Sequence, residues 1–111
     1  MIDSEKCNSI LDAADEYKYE AVQAFSFGMD LYEDNYFSEA ASKFLLAELY
    51  FGMYKNLLAI AGKRNGDYQD LAYKKLAGVK NEEIAAMNAL SKVNGELINI
   101  FNVLNVGSAK K

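Results

Sequence analysis

Three observations predict an all-α fold, an up-down-up antiparallel bundle of three long helices. Apolar residues recur at alternating spacings of four and three along most of the chain, which gathers them on one stripe of an α-helix. No stretch alternates apolar and polar residues long enough to suggest a half-buried strand. The polar connections between the periodic segments are only about three to six residues long, which makes successive helices antiparallel neighbours.

The first helix is expected from about residue 4 to 33, with Ile10, Ala14, Tyr17, Ala21, Ala24, Gly28 and Leu31 on its stripe. Small residues dominate this seam, so a partner helix can approach closely. Phe25, Phe27 and Tyr32 lie off the seam and widen the apolar face. Ser4 stands just before the helix, and Cys7 three residues later leaves no capping box. Glu33, Asp34, Asn35 and Tyr36 read as a turn, because Asp and Asn side chains bond to nearby backbone. Asn35 or Ser38 is expected to cap the second helix.

The second helix carries Phe37, Ala40, Phe44, Ala47, Phe51, Tyr54, Leu58 and Ala61 in the same alternation. A second set, Leu45, Leu46, Leu49, Met53, Leu57 and Ile60, covers much of the remaining circumference. A helix apolar on most sides is expected to be buried on most sides, which makes this the central element. Gly62 and Gly66 are expected to close it, with Lys63 and Arg64 near the negative end of the helix dipole. Asp67 is the expected cap of the third helix, with Asp70 in its first turn and Leu71, Leu76 and Val79 on its apolar side. Gly78 and Asn81 mark a kink or a break, which would raise the count to four helices. Beyond it Glu82 and Glu83 open a stretch whose stripe is Ala86, Leu90, Val93, Leu97, Ile100 and Leu104. Residues 1–106 form one domain on this reading, and 107–111 a flexible tail. Helices of this length span ~40–57 Å at 1.5 Å per residue, so an elongated molecule is expected.

Composition removes several chemistries. The 111 residues are 51% hydrophobic and 25% charged, and they include no His, no Trp and the single cysteine Cys7. No disulfide forms within such a chain, and zinc sites built on His and Cys cannot be assembled. Catalysis through Ser-His-Asp or Cys-His arrangements is excluded with the missing histidine. A carboxylate-bridged di-iron bundle needs Glu-x-x-His pairs. Gly62 and Gly66 do not form a phosphate loop, having no preceding strand and no Gly-Lys-Ser ending. No catalytic, metal-binding or cofactor-binding residue is therefore expected. A bundle using Glu and Asp with magnesium is a third-rank reading.

Charge is uneven: residues 1–50 sum to -8 and residues 51–111 to +4, for a net -4. The bases are scattered, and Arg64 is the only arginine, which serves bidentate phosphate recognition poorly. The N-terminus is acidic, unlike a secretory signal. The apolar stretch 44–60 is interrupted by Glu48, Lys55 and Asn56, so no membrane span is expected. A cytoplasmic location follows, and one unpaired cysteine agrees with it.

Gly28, Leu31, Phe37, Ala40, Phe44 and Ala47 fall at the intervals of a tetratricopeptide repeat, and residues 21–54 resemble one such helical hairpin. The resemblance implies that the Gly and Ala positions let two helices cross closely while aromatics fill the gap. Ala24 stands where that family has a bulky aromatic, Gly52 replaces its helix-ending proline, and no second copy follows, so a superhelical array is not expected. The same wording is similar to microtubule-interacting and transport domains, three-helix bundles whose groove takes short helices. It is also similar to the HEPN group, whose nuclease members use an Arg and His pair that this chain lacks.

Glu48 is expected to reach the surface or pair with a lysine of the third helix, Glu83 to favour a helix N-terminus, and Cys7 to act as a small buried hydrophobe. Most of the eight Tyr and six Phe lie between residues 17 and 54, in the most acidic part of the chain, which disfavours stacking on nucleotides. The leading expectation is a non-enzymatic interaction or scaffolding module, self-associating or holding a partner helix in an apolar groove. Phe25, Tyr32, Tyr36, Tyr50, Met53 and Tyr54 are the expected partner-binding residues. The alternative is a small regulator acting on nucleic acid through Lys63, Arg64, Lys74, Lys75 and Lys80.

Overall fold

A computed structural model describes the backbone of residues 4–109 and the side chains of residues 4–104. Three α-helices make up the fold: α1 (Ser4–Glu33), α2 (Phe37–Arg64) and α3 (Gln69–Ala109), with a short 3-10 turn at Gly66–Tyr68 before α3. No strand occurs among the described residues. The molecule measures 68 × 21 × 19 Å, and the long dimension is that of α3, whose 41 residues span about 61 Å.

Residue pairs across the interfaces give the directions. Tyr17 stacks on Tyr50, Phe25 packs on Phe44 and Tyr32 meets Phe37 edge-on, so α2 descends as α1 ascends. Lys55 pairs with Glu83 at 2.8 Å, while Phe44 shares a cluster with Val93, so α3 runs antiparallel to α2. The chain is thus up-down-up. α2 is the central element: α1 and α3 each pack along it and touch each other little.

The core follows the expected stripes. Ala40, Phe44, Ala47, Phe51, Tyr54, Leu58 and Ala61 of α2 are all buried, as are Ala14, Ala21, Ala24 and Gly28 of α1, and Val79, Ala86 and Val93 of α3. The second apolar set of α2 behaves differently. Leu46, Leu57 and Ile60 are half-buried, but Leu45, Leu49 and Met53 are exposed, because only two helices cover α2 and neither reaches that side. The expectation that α2 is buried on most sides is corrected accordingly. α2 is also, among the described residues, the one helix long and apolar enough to cross a bilayer by length and composition, with a mean hydropathy of 1.2 over its most apolar 18 residues. It is also the helix that the other two pack along, and the core helix of a bundle meets the same criterion.

The turns differ from expectation in their chemistry. α1 ends in a Schellman motif, with Tyr36 N–H donating to the Leu31 carbonyl at 2.9 Å and Asn35 N–H to Tyr32 at 3.0 Å. Asn35 occupies the left-handed region at φ 67, where Asn is tolerated far better than most residues. It therefore terminates α1, and the first residue before α2 is Tyr36, with no side-chain cap. Before α3 the cap is Asn65, whose buried side chain accepts from Asp67 N–H at 3.0 Å; Asp67 itself sits inside the 3-10 turn. Neither Gly62 nor Gly66 has a positive φ. α3 passes through Gly78 and Asn81 without a break, so the four-helix alternative does not apply. Glu83 is consequently mid-helix, and its role is the ion pair with Lys55. The tail expected at 107–111 is helical backbone as far as Ala109 and beyond that lies outside the described residues.

Candidate interaction groove

α1 and α3 run parallel at one constant offset. Tyr68 Oη donates to Asn8 at 3.1 Å, Lys75 reaches Asp15 at 3.2 Å, and the Lys92 ammonium lies 5.5 Å from the Tyr32 ring. Because each helix packs on α2 rather than on the other, the three occupy three corners of a square. The vacant fourth corner is a groove. Its larger part, about 320 Å³, is lined by Phe25, Met29 and Tyr32 of α1, Phe44 of α2, and Ala85, Asn88, Ala89 and Lys92 of α3. A smaller hollow of about 160 Å³ continues it past Val22, Phe51 and Glu82. Ala85 and Ala89 on the α3 wall leave room there, and the floor is made by Phe44 and Phe51 of the α2 stripe.

The six expected partner-binding residues separate in the structure. Phe25 and Tyr32 line the groove. Tyr50 is half-buried on the opposite side of α1, stacked against Tyr17 with ring centroids 6.0 Å apart. Tyr36 and Met53 are exposed, 57% and 45%, one at the turn and one on the outer side of α2. Tyr54 is not at a surface: it is 1% exposed, and its hydroxyl donates to the Lys75 carbonyl at 3.4 Å. It belongs to the core between α2 and α3. Sequence reasoning missed Met29, Ala85, Asn88, Ala89 and Lys92. Ala85 and Ala89 lie outside the named stripe of α3, and only the position of α1 across from them makes a wall of them.

Burial holds the Tyr54 hydroxyl pKa above the ordinary 10.0, and the carboxylates of Asp15 and Glu82 push in the same direction. A raised folded-state value favours the neutral phenol in the fold. That contribution is fully present below the unfolded value of 10.0 and is lost as pH rises through the folded value. Stability is therefore expected to fall above pH 10, and Tyr54→Phe to flatten that fall. Urea midpoints from neutral to strongly alkaline pH check this; parallel curves for the two proteins would assign the loss to other tyrosines.

Other hollows are less suited to a ligand. A wider one, about 680 Å³, lies open beside Asp12, Asp15, Glu16 and Glu20 of α1, and these carboxylates face solvent. Among the described residues no group of three His, Cys, Asp or Glu side chains is placed to hold a metal ion. Cys7 is fully buried. Glu48 is half-buried. Lys75, one of the bases expected to meet phosphates, is engaged by Asp15. No family model, curated protein or solved structure matches the chain.

Proposed function

We propose that this chain is a non-enzymatic helical interaction module that works by taking a further helix into the groove between α1 and α3. The observation that carries the reading is the vacant corner itself: an apolar, aromatic-floored channel walled by three helices of one domain. An apolar helix laid there would cover the half-buried Phe25, Met29 and Tyr32 over the buried Phe44 and complete a four-helix section. Helix-in-groove recognition draws its affinity from such burial. The likeness of residues 21–54 to a tetratricopeptide hairpin points in the same direction, toward a protein partner.

Ala85 and Asn88 are exposed and one turn apart on the groove wall, so Ala85→Glu with Asn88→Glu puts two carboxylates into the channel at little cost to the fold. The double variant is expected to keep its helicity, to lose binding of an apolar fluorescent dye and to lose concentration-dependent association in sedimentation. Unchanged dye binding and unchanged association would remove the groove from the function.

A further inference from the structure

We propose that the helix taken into the groove is the C-terminal end of α3 from a second copy of this chain, the two copies exchanging these ends reciprocally. The proposal rests on reading the chain as an interaction module and goes further by naming the partner.

α3 outruns the rest of the fold. At the constant offset of the Tyr32–Lys92 pair, the end of α1 at Glu33 lies level with Val93. The first residue of α2, Phe37, packs in the cluster that includes Leu97. Residues 98–109 therefore project about 18 Å past the α1–α2 turn, with no described element alongside. This projection is not a polar spacer. Ile98, Ile100, Phe101, Val103 and Leu104 are between 44% and 71% exposed. Ile100 and Leu104 continue, at the same spacing, the stripe of Ala86, Leu90, Val93 and Leu97 that packs along α2. The seam is continuous; its partner stops.

One chain carries both surfaces, an uncovered apolar helix end and an open apolar groove, which makes a second copy the matching partner. No Asp, Glu, Lys or Arg occurs from Leu97 to Ala109, so this stretch brings no charge into an apolar groove; the like charges that two copies bring together are Asp30, Glu33, Asp34 and Glu39 at the facing turns. The groove offers the matching surface, with only Glu82 and Lys92 as charged residues along its lining. Directions agree as well. If two copies face each other by their α1–α2 turns, each α3 end runs antiparallel to the partner's α3. It then enters the partner's groove from the Tyr32 end, antiparallel to both walls, which is the orientation of the fourth helix of an up-down-up-down bundle. A two-fold axis uses each end and each groove once, so the assembly closes as a dimer. Lys92, exposed on its flexible stem, lies across that entrance and swings aside.

Light scattering and sedimentation on the whole chain test this. The wild type is expected as a dimer of the 12.4 kDa chain. Ile100→Glu and Leu104→Glu, both at exposed positions, are each expected to weaken dimerisation at least about tenfold with unchanged circular dichroism. Leu49→Glu, on the outer side of α2, is expected to leave the dimer intact. A dimer indifferent to both α3 variants overturns the proposal. A dimer broken by Leu49→Glu also overturns it, while the interaction-module reading survives on another face. A wild-type monomer that floats with phosphatidylcholine vesicles gives the α3 end to a bilayer instead of a second copy. A monomer that stays off vesicles but binds the dye in its groove overturns the second copy and leaves the groove to a different helix.

Discussion

Gly28→Ala is expected to lower the stability of this fold by about 1–3 kcal/mol, the range for overpacking a filled interior. Helix propensity alone argues the reverse, since Ala in a helix interior is favoured over Gly by about 1 kcal/mol. The packing term decides the sign. A Cβ at position 28 would lie 2.6 Å from Cε1 of Phe44 and 2.8 Å from its Cδ1, well inside van der Waals contact. The ring has little freedom to yield, because Phe44 is fully buried, with Phe25 packed against it at a centroid distance of 5.6 Å and Ala40 and Val93 in the same cluster. Relief must come from moving α1 away from α2, which loosens the longest interface in the molecule. Phe44→Leu removes the ring atoms in conflict. The double variant is therefore expected to be less destabilised than the two single losses added, with a coupling of roughly 0.5–3 kcal/mol. Urea midpoints of the four proteins give the cycle. A higher midpoint for Gly28→Ala than for wild type would mean that the crossing of α1 and α2 does not depend on the bare glycine.

The stripe of α2 could be read from spacing alone because backbone periodicity determines which residues share a face, and seven of its eight named members are buried. Periodicity does not say how many neighbours a helix will have. Leu45, Leu49 and Met53 have the composition of a second core face, and their exposure follows from the absence of a helix on that side. α3 shows a related gap. Gly78 and Asn81 carry a local cost of about 1 kcal/mol or less each in a helix, too little to break it where Leu76, Val79 and Ala86 pack on the core around them. The groove was partly legible: Phe25 and Tyr32 stand out as aromatics off the α1 seam. Its other wall was not, since alanines gain meaning only from what faces them. The projection of α3 was within reach of simple counting, because its periodic stripe extends past the length of α2.

Tyr54 and Tyr36 put the difference between pattern and packing to a direct test. From the sequence both are aromatics near the acidic half, suited to a partner surface by a large apolar ring with a polar tip. The fold separates them. Tyr54→Ala is expected to cost about 3–5 kcal/mol, as for other buried aromatic truncations, because its ring is enclosed between α2 and α3 beside Phe51, Leu58 and Val79. Tyr54→Phe keeps the ring and removes a single long hydrogen bond to the Lys75 carbonyl, so at most about 1 kcal/mol is expected. Most of the Tyr54 contribution is therefore in the ring and little in the hydroxyl. Tyr36→Ala, at a position 57% exposed whose backbone alone serves the end of α1, is expected to stay within about 0.5 kcal/mol of wild type. Thermal and urea unfolding of the three variants rank them. Equal losses for Tyr54→Ala and Tyr36→Ala would place Tyr54 at the surface, and α2 would then be rotated from the face that carries Phe44, Phe51 and Leu58 inward.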